Sequence, residues 1–140
     1  MTAPIYIGPM SILPVWIMDI EQAHFGKAWM SICENEHIWT IPSVSFARWR
    51  VVPSIQEAEL LRIGVIRNWR RNGYGRAILQ YSQNQVANFG ISTSLLEVRT
   101  SNTVARSLYE SEGWCRLSLR KQYYGDGEDA VIYQRLMLAQ

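Results

Sequence analysis

Cysteine and histidine are scarce. Two of each, Cys33, Cys115, His24 and His37, occur among 140 residues. They form no Cys-x-x-Cys or paired histidine spacing, so neither a disulfide framework nor a zinc site is expected, and a reduced, cytoplasmic setting is the simpler reading. Glu21-x-x-His24 supplies half of a helical carboxylate–histidine metal motif whose other half is missing, and no metal is expected. Long apolar runs are absent as well: the stretch from Ile12 to Ile20 is interrupted by Pro14 and Asp19, too short and too broken to span a bilayer. Met1 to Tyr6 shows no basic segment leading into an apolar stretch and a cleavage site, so neither secretion nor a membrane partner is expected. Repeats, linkers and low-complexity segments are missing too. Strong charge imbalance is lacking, the net charge being +2, which argues against nucleic acid as a direct substrate. The interleaved Arg48-Trp49-Arg50 and Trp69-Arg70-Arg71 are too short to alter that.

With 48% hydrophobic and 19% charged residues, the chain reads as one globular domain over residues 1–140. Its basic charge is nearly all arginine, and much of it lies between Arg48 and Arg76. Inside that region stands Arg70-Arg71-Asn72-Gly73-Tyr74-Gly75-Arg76, after a strand-like segment and at the start of a helix-like one. Glycines at such a junction let the backbone turn tightly and approach an anion, and the first amides of the helix point outward without partners. A pyrophosphate fits that geometry, with Arg70, Arg71 and Arg76 adding positive charge. A turn of purely geometric use beside a solvated arginine cluster is the alternative reading.

Strands are expected at Ile5–Ile7, Ile38–Ile41, Val44–Val52, Glu59–Ile66, Ser94–Arg99, Trp114–Leu119 and Ala130–Leu138. Helices are expected at Leu13–His24 (capped by Ser11), Lys27–Glu36, Gly75–Phe89 and Thr103–Ser111. Ser101 or Asn102 caps the last of these, and Arg106 and Glu110 are spaced to pair on its surface. Glu97 is a charge set within the apolar Leu95-Leu96-Glu97-Val98, which implies that it is paired or used. Burial would make it a competent base, while a pair with Arg99 or Arg62 would make it structural. Tyr109 follows Asn102 by two helical turns, so both lie on one helix face. Gly64 interrupts a strand, marking either a bulge or a close-packed position.

Taken in order, Glu59-Leu60-Leu61-Arg62-Ile63-Gly64-Val65, the Arg-x-x-Gly-x-Gly turn, Leu95 to Asn102 and Ala105-x-x-Leu108-Tyr109-Glu110-Ser111-x-Gly113-Trp114 resemble the GNAT superfamily of N-acetyltransferases. Within it the chain is similar to the RimI type, the bacterial ribosomal-protein N-terminal alanine acetyltransferases. Leu119-Arg120-Lys121-x-Tyr123-Tyr124 and Glu128-Asp129-Ala130 belong to the same resemblance, which covers residues 57 to 140 well and the first third poorly.

The resemblance implies an α/β fold, the acyl-coenzyme A N-acyltransferase type, with a mixed, mostly antiparallel sheet flanked by helices. It further implies acetyl-coenzyme A as cosubstrate, with its pyrophosphate on residues 71 to 76, its pantetheine arm at Asn102, and a bulge at Gly64 in Ile63-Gly64-Val65 that opens a slot and offers the Val65 amide to the thioester oxygen. Glu97 then serves as base and Tyr109 as acid. The hairpin at Pro42-Ser43 is shorter than the resemblance implies, which leaves the sheet's first half and the groove beside it open. Arg67-Asn68 stands where the family commonly has Asp-Pro, a difference of loop shape. An α-amine titrates near ~8 and lysine near ~10.4, so a neutral lysine costs roughly 3 kcal/mol more at pH 7 and a lone Glu base suits an N-terminus better. The expected acceptor is the N-terminal peptide of a ribosomal protein. Tyr123, Tyr124, Glu128 and Asp129 could hold it, unless the acidic pair is only a solvated hairpin. The competing functions are a GNAT-fold binding module at the ribosome or RNA and transfer to another amine such as lysine.

Overall fold

The computed structural model describes residues 3–137. Its strands are β1 (Ile5–Ile7), β2 (Glu36–Ile41), β3 (Ser45–Val52), β4 (Glu57–Val65), β5 (Thr93–Arg99), β6 (Cys115–Arg120) and β7 (Ala130–Leu136). The helices are α1 (Val15–Phe25), α2 (Tyr74–Ala87) and α3 (Thr103–Ser111). All seven strands form one sheet in the order β1-β2-β3-β4-β5-β7-β6. Only β4 and β5 run parallel; α2 forms the crossover between them. Leu138, the expected end of the last strand, lies outside the described residues.

Strand alternation divides the core in two. Ile38 and Phe46 face α1, where Ile17 and Ile20 bury against them, while Trp39, Ala47 and Trp49 point the other way onto Ile78, Leu79 and Val86 of α2. The short Pro42-Ser43 turn does not cost the sheet its first half. Ser43 takes φ 58, the Val44 amide donates to the Ile41 carbonyl at 2.9 Å, and β2 and β3 pair over six rungs from Ile41/Ser45 to Glu36/Arg50.

The expected helix at Lys27–Glu36 does not form. Its backbone groups are claimed by buried charges instead: Arg48 donates to the carbonyls of Trp29 (2.9 Å) and Ser31 (2.5 Å), Arg62 donates to that of Lys27 (2.8 Å), and Glu21 accepts from the Trp29 amide (3.0 Å). Glu21 and Arg48 are fully buried and ion-paired at 3.2 Å; Glu36 closes on Arg48 at 2.8 Å and Arg62 on Glu21 at 3.3 Å. Two arginines and two glutamates balance, and the loop between α1 and β2 is laid over them. At the start of α1, Pro14 takes the cap position without a side-chain cap, and Ser11 plays no part in it. Arg106 and Glu110 make no direct pair either, because the Tyr133 hydroxyl stands between them, accepting from Arg106 at 3.1 Å and donating to Glu110 at 2.5 Å.

The feature that positions the site is where pairing stops. β4 and β5 pair from Glu57/Thr93 to Leu60/Leu96, after which β4 runs on to Val65 and β5 to Arg99 without each other. The cause is a bulge at Leu61, since Arg48 pairs with Arg62 but the next residue, Trp49, pairs with Leu60. Gly64 is not the bulge. It pairs in register with Phe46, and a β-carbon there would lie 2.7 Å from the Phe46 ring and 2.8 Å from Ile20, so its glycine is a close-packing requirement under α1.

Candidate active site

The parted strands enclose a gap of about 260 Å³ lined by His24, Phe25, Leu60 to Ile63, Leu96 to Arg99, Asn102, Ala105, Tyr109 and Tyr124. Glu97 and Tyr109 come to it from opposite faces of the sheet. Leu96 and Val98 turn inward toward α2 and α3, so Glu97 between them turns outward, whereas Tyr109 is buried at 6% exposure on the helical side. Both line the gap. Burial pushes the Tyr109 hydroxyl well up, and it makes no hydrogen bond among the described residues, so it remains a proton donor at neutral pH. Glu97 is not isolated in apolar surroundings; it keeps about a fifth of its side chain exposed and pairs with Arg120 at 3.0 Å, not with Arg99 or Arg62. The Arg120 partner is not legible in the sequence, because a long arginine on an edge strand reaches Glu97 across β7.

One wall of the gap is backbone. The Ile66 amide donates to the carbonyl of Val44, just before β3, at 2.7 Å, so by strand alternation the Ile63 and Val65 amides point away from β3, toward the gap. Asn102 caps α3 by accepting from the Ala105 amide at 3.2 Å, which leaves its amide nitrogen free at the rim.

Beyond Val65 a single 3-10 turn at Arg67–Trp69 leads to the glycine loop. Arg71 takes φ 65 and Gly73 φ 82, two left-handed positions that turn the chain into α2 with no side-chain cap. The first helical bond is Ala77 to the Gly73 carbonyl at 2.9 Å, and the amides of residues 71 to 76 meet no protein acceptor among the described residues. They form a positive cradle at a helix start. Asn72 braces the turn through the Trp69 and Arg70 carbonyls (3.3 and 3.0 Å), and the Tyr74 ring stands edge-on to Trp69. Gly75 faces outward, its missing β-carbon having only Val65 at 3.5 Å nearby.

The arginines divide. Arg71 carries no partner among the described residues, whereas Arg76 is tied to Glu112 at 2.5 Å and Ser111 at 2.8 Å, its charge balanced between α2 and α3. Arg70 folds back to the Val65 carbonyl at 3.2 Å and to His24, whose pKa falls through burial and the adjacent guanidinium. Of the three expected phosphate-binding charges, only Arg71 is uncommitted.

A strand pair parted beside a glycine loop whose amides are free is the arrangement that the resemblance implies for this chain. Residues 9–114 match the acetyltransferase (GNAT) family. The chain belongs to that family. The [ribosomal protein bS18]-alanine N-acetyltransferase of Escherichia coli K12 is 42% identical over 91 residues, 63% of this chain and 60% of that protein. An N-alpha-acetyltransferase of Saccharolobus solfataricus is 33% identical over 117 residues, 79% of this chain and 70% of its own. The chain thus spans about 60% of the length of the curated bacterial relatives it matches. The crystal structure of the Escherichia coli ribosomal-protein-S18-alanine N-acetyltransferase superposes with a TM-score of 0.77 at 30% identity, covering 99% of this chain and 96% of that one. As a GNAT protein, the chain departs from the sequence expectation mainly in its acceptor residues.

Glu128 accepts from Arg99 (2.9 Å), Thr100 (3.1 Å) and the Ser101 amide (2.8 Å), and these bonds, those from Ser101 foremost, depress its pKa to about 2. Asp129 holds the Gln122 amide at 2.8 Å. Glu128 ties the β6–β7 loop to the β5–α3 turn and Asp129 closes the same loop on itself, so both carboxylates are committed within the protein. Tyr123 and Tyr124 stand edge-to-face at 5.0 Å, covered by Arg120 and Arg99 respectively, and Tyr124 lines the gap. On the far side, Phe25 and Trp29 flank the buried Arg62, an arrangement concealed in the sequence because it depends on the ion cluster beneath. No group of three metal-ligating side chains occurs among the described residues, and no helix there is long and apolar enough to cross a membrane.

Proposed function

We propose that this protein moves the acetyl group of acetyl-coenzyme A to the α-amino group of a protein N-terminus, with the N-terminal alanine of a small-subunit ribosomal protein as acceptor, and that residues 1–140 act as one catalytic domain in the cytoplasm. The observation that carries the reading is the gap, which Glu97, Asn102 and the buried Tyr109 line together, at the end of the strand that leads into the uncommitted amides of residues 71 to 76. Those amides and the room in front of Gly75 fit a pyrophosphate. The cosubstrate supplies an activated thioester. The Val65 amide donates to its carbonyl oxygen, where charge develops. Asn102 orients the arm, Glu97 accepts the proton that the attacking amine gives up, and Tyr109 donates one to the departing sulfur. Glu97, held by a single arginine at the edge of solvent, suits an amine that titrates near ~8 better than one near ~10.4.

Mass spectrometry of N-terminal peptides incubated with acetyl-coenzyme A tests this. Acetyl on the α-amine of an alanine peptide is the expected result. Acetyl on lysine side chains alone, or cofactor binding without turnover on any peptide, would replace it with one of the two competing functions.

A further inference from the structure

One side chain ties the end of α1 to the end of β4 and to the glycine loop. Arg70 donates through Nε to the Val65 carbonyl at 3.2 Å and through Nη2 to Nε2 of His24, in the last turn of α1. A guanidinium has no acceptor, so His24 presents an unprotonated nitrogen to it and is neutral in this arrangement. Both ends of the tie are fixed. Gly26 closes α1 with its amide on the Gln22 carbonyl at 3.1 Å, and Asn72 holds the Arg70 carbonyl at 3.0 Å, so only the arginine side chain is left to move.

The guanidinium occupies the approach to the gap. The Ile66 amide faces β3, and the carbonyl of the same trans peptide, that of Val65, points the opposite way, along the edge of β4 that β5 leaves unpaired after Leu60. A cosubstrate with its pyrophosphate on the amides of residues 71 to 76 and its thioester at the Val65 amide runs along that edge. Arg70 stands across it. His24 lines the gap and also a neighbouring cavity of about 540 Å³ that Arg70 lines, so the bond between the two lies where these spaces adjoin.

We infer that Arg70 is a strap over the mouth of the gap, latched by neutral His24, and that it is released when the pyrophosphate arrives or when His24 takes a proton. The inference rests on the proposed cosubstrate site and adds His24 as a positioning residue that acts through Arg70. A protonated imidazole cannot accept from a guanidinium and repels it, so proton and pyrophosphate pull the same way. The other charged and titratable groups around His24 are Asp19 and Arg67 in the cavity and Arg62, Glu97, Arg99, Tyr109 and Tyr124 in the gap. Histidine is the one type among them that ordinarily titrates between about pH 5 and 8. Burial first, and then Arg70, lower the His24 pKa in the latched state. Departure of Arg70 removes the second cause, so the pKa rises toward ~6.5 on binding, a proton is taken up, and affinity grows as pH falls.

Calorimetric titration of 3′-dephospho-coenzyme A, whose pyrophosphate does not titrate in this range, tests it. From pH ~7.5 to pH ~5.5 the wild-type Kd is expected to fall about fivefold, with proton uptake read from the dependence of the enthalpy on the buffer. His24→Gln keeps an acceptor that does not titrate, and should hold the wild-type affinity of pH ~7.5 throughout. His24→Phe removes the acceptor, and should bind at least as tightly as wild type at pH ~7.5 with no slope. Proton NMR of the two histidines reads the latch without ligand: Arg70→Gln should raise the His24 pKa and leave that of His37, on β2, in place. A His24 pKa unmoved by Arg70→Gln, a wild-type affinity that weakens toward acid, or a slope that survives in His24→Phe would each overturn the inference. Absence of binding at any pH, with the histidine titration as expected, would overturn the cosubstrate site while upholding the latch.

Discussion

Arg48→Met is expected to be the most destabilising single change on the sheet's α1 side. Arg48 is fully buried and offsets Glu21, also fully buried, and Glu36, 8% exposed, with Arg62 as the second cation. Removing it turns a neutral cluster into one with a net charge of −1 and frees the carbonyls of Trp29 and Ser31. Breaking a buried pair in this way costs about 3–5 kcal/mol. A domain of this size loses roughly 3–4 °C of midpoint per kcal/mol, so Tm should fall on the order of 10–20 °C. Urea unfolding at constant m-value measures the change. The loop after α1 adjoins His24 and Phe25 at the rim of the gap, so peptide KM should rise while coenzyme A affinity stays close to wild type. Adding Glu21→Gln restores neutrality and should recover at least about 1 kcal/mol. A loss below about 1 kcal/mol for Arg48→Met, or a double variant worse than the single one by the full cost of a second buried charge, would refute the view that charge balance holds this loop.

Tyr109→Phe should lower kcat about 100-fold with little change in cofactor affinity, and because burial holds the Tyr109 hydroxyl up, wild-type kcat should show no alkaline decline from this group up to pH ~10; equal losses in rate and affinity would make Tyr109 a positioning residue. Gly75→Val should abolish coenzyme A binding in calorimetry while leaving Tm nearly unchanged, since only Val65 lies near the new side chain; undiminished affinity would remove the glycine loop from the site. In Glu97→Gln the rate should fall on the order of 10²- to 10⁴-fold and recover partly as pH rises and the amine deprotonates itself, whereas lost stability with a normal pH profile would leave Glu97 a structural partner of Arg120. Glu128 has a folded pKa of about 2, below its unfolded value, so the stability it contributes is complete above pH ~4.5 and lost as pH falls toward 2; Glu128→Gln should flatten the decline of Tm across that window, and an unchanged acid limb would contradict its role as loop anchor.

Much of the second half was legible in the sequence because its signals are local. Gly73-x-Gly75 needs only the turn geometry of its own residues, Asn102 caps a helix three residues away, and Leu95-Leu96-Glu97-Val98 declares an alternation that the sheet obeys. The segment from Lys27 to Glu36 misled because its composition suits a helix while its carbonyls are committed to Arg48 and Arg62, which lie up to 35 residues away. Tertiary contact overrode propensity there. Arg48 did leave a trace: it occupies an inward position between Phe46 and Arg50 on one face of β3, where a charge is costly unless carboxylates meet it.

The sequence by itself determined the order of the strands, three of the four expected helices, the glycine loop and the alternation that turns Glu97 away from Leu96 and Val98, since each depends on backbone preferences and periodicities within a few residues. Only the tertiary structure decided which charges are free. Arg76 is neutralised by Glu112, Glu128 is spent on the β5–α3 turn, and Arg70 is folded onto Val65. It also placed the bulge at Leu61 and gave Gly64 to packing, because register is fixed by the partner strand and the helix above it. An ionic or hydrogen-bonded partner is set by distance in space, and at these sites that distance follows from how β4 and β5 part, which no local pattern in either strand encodes.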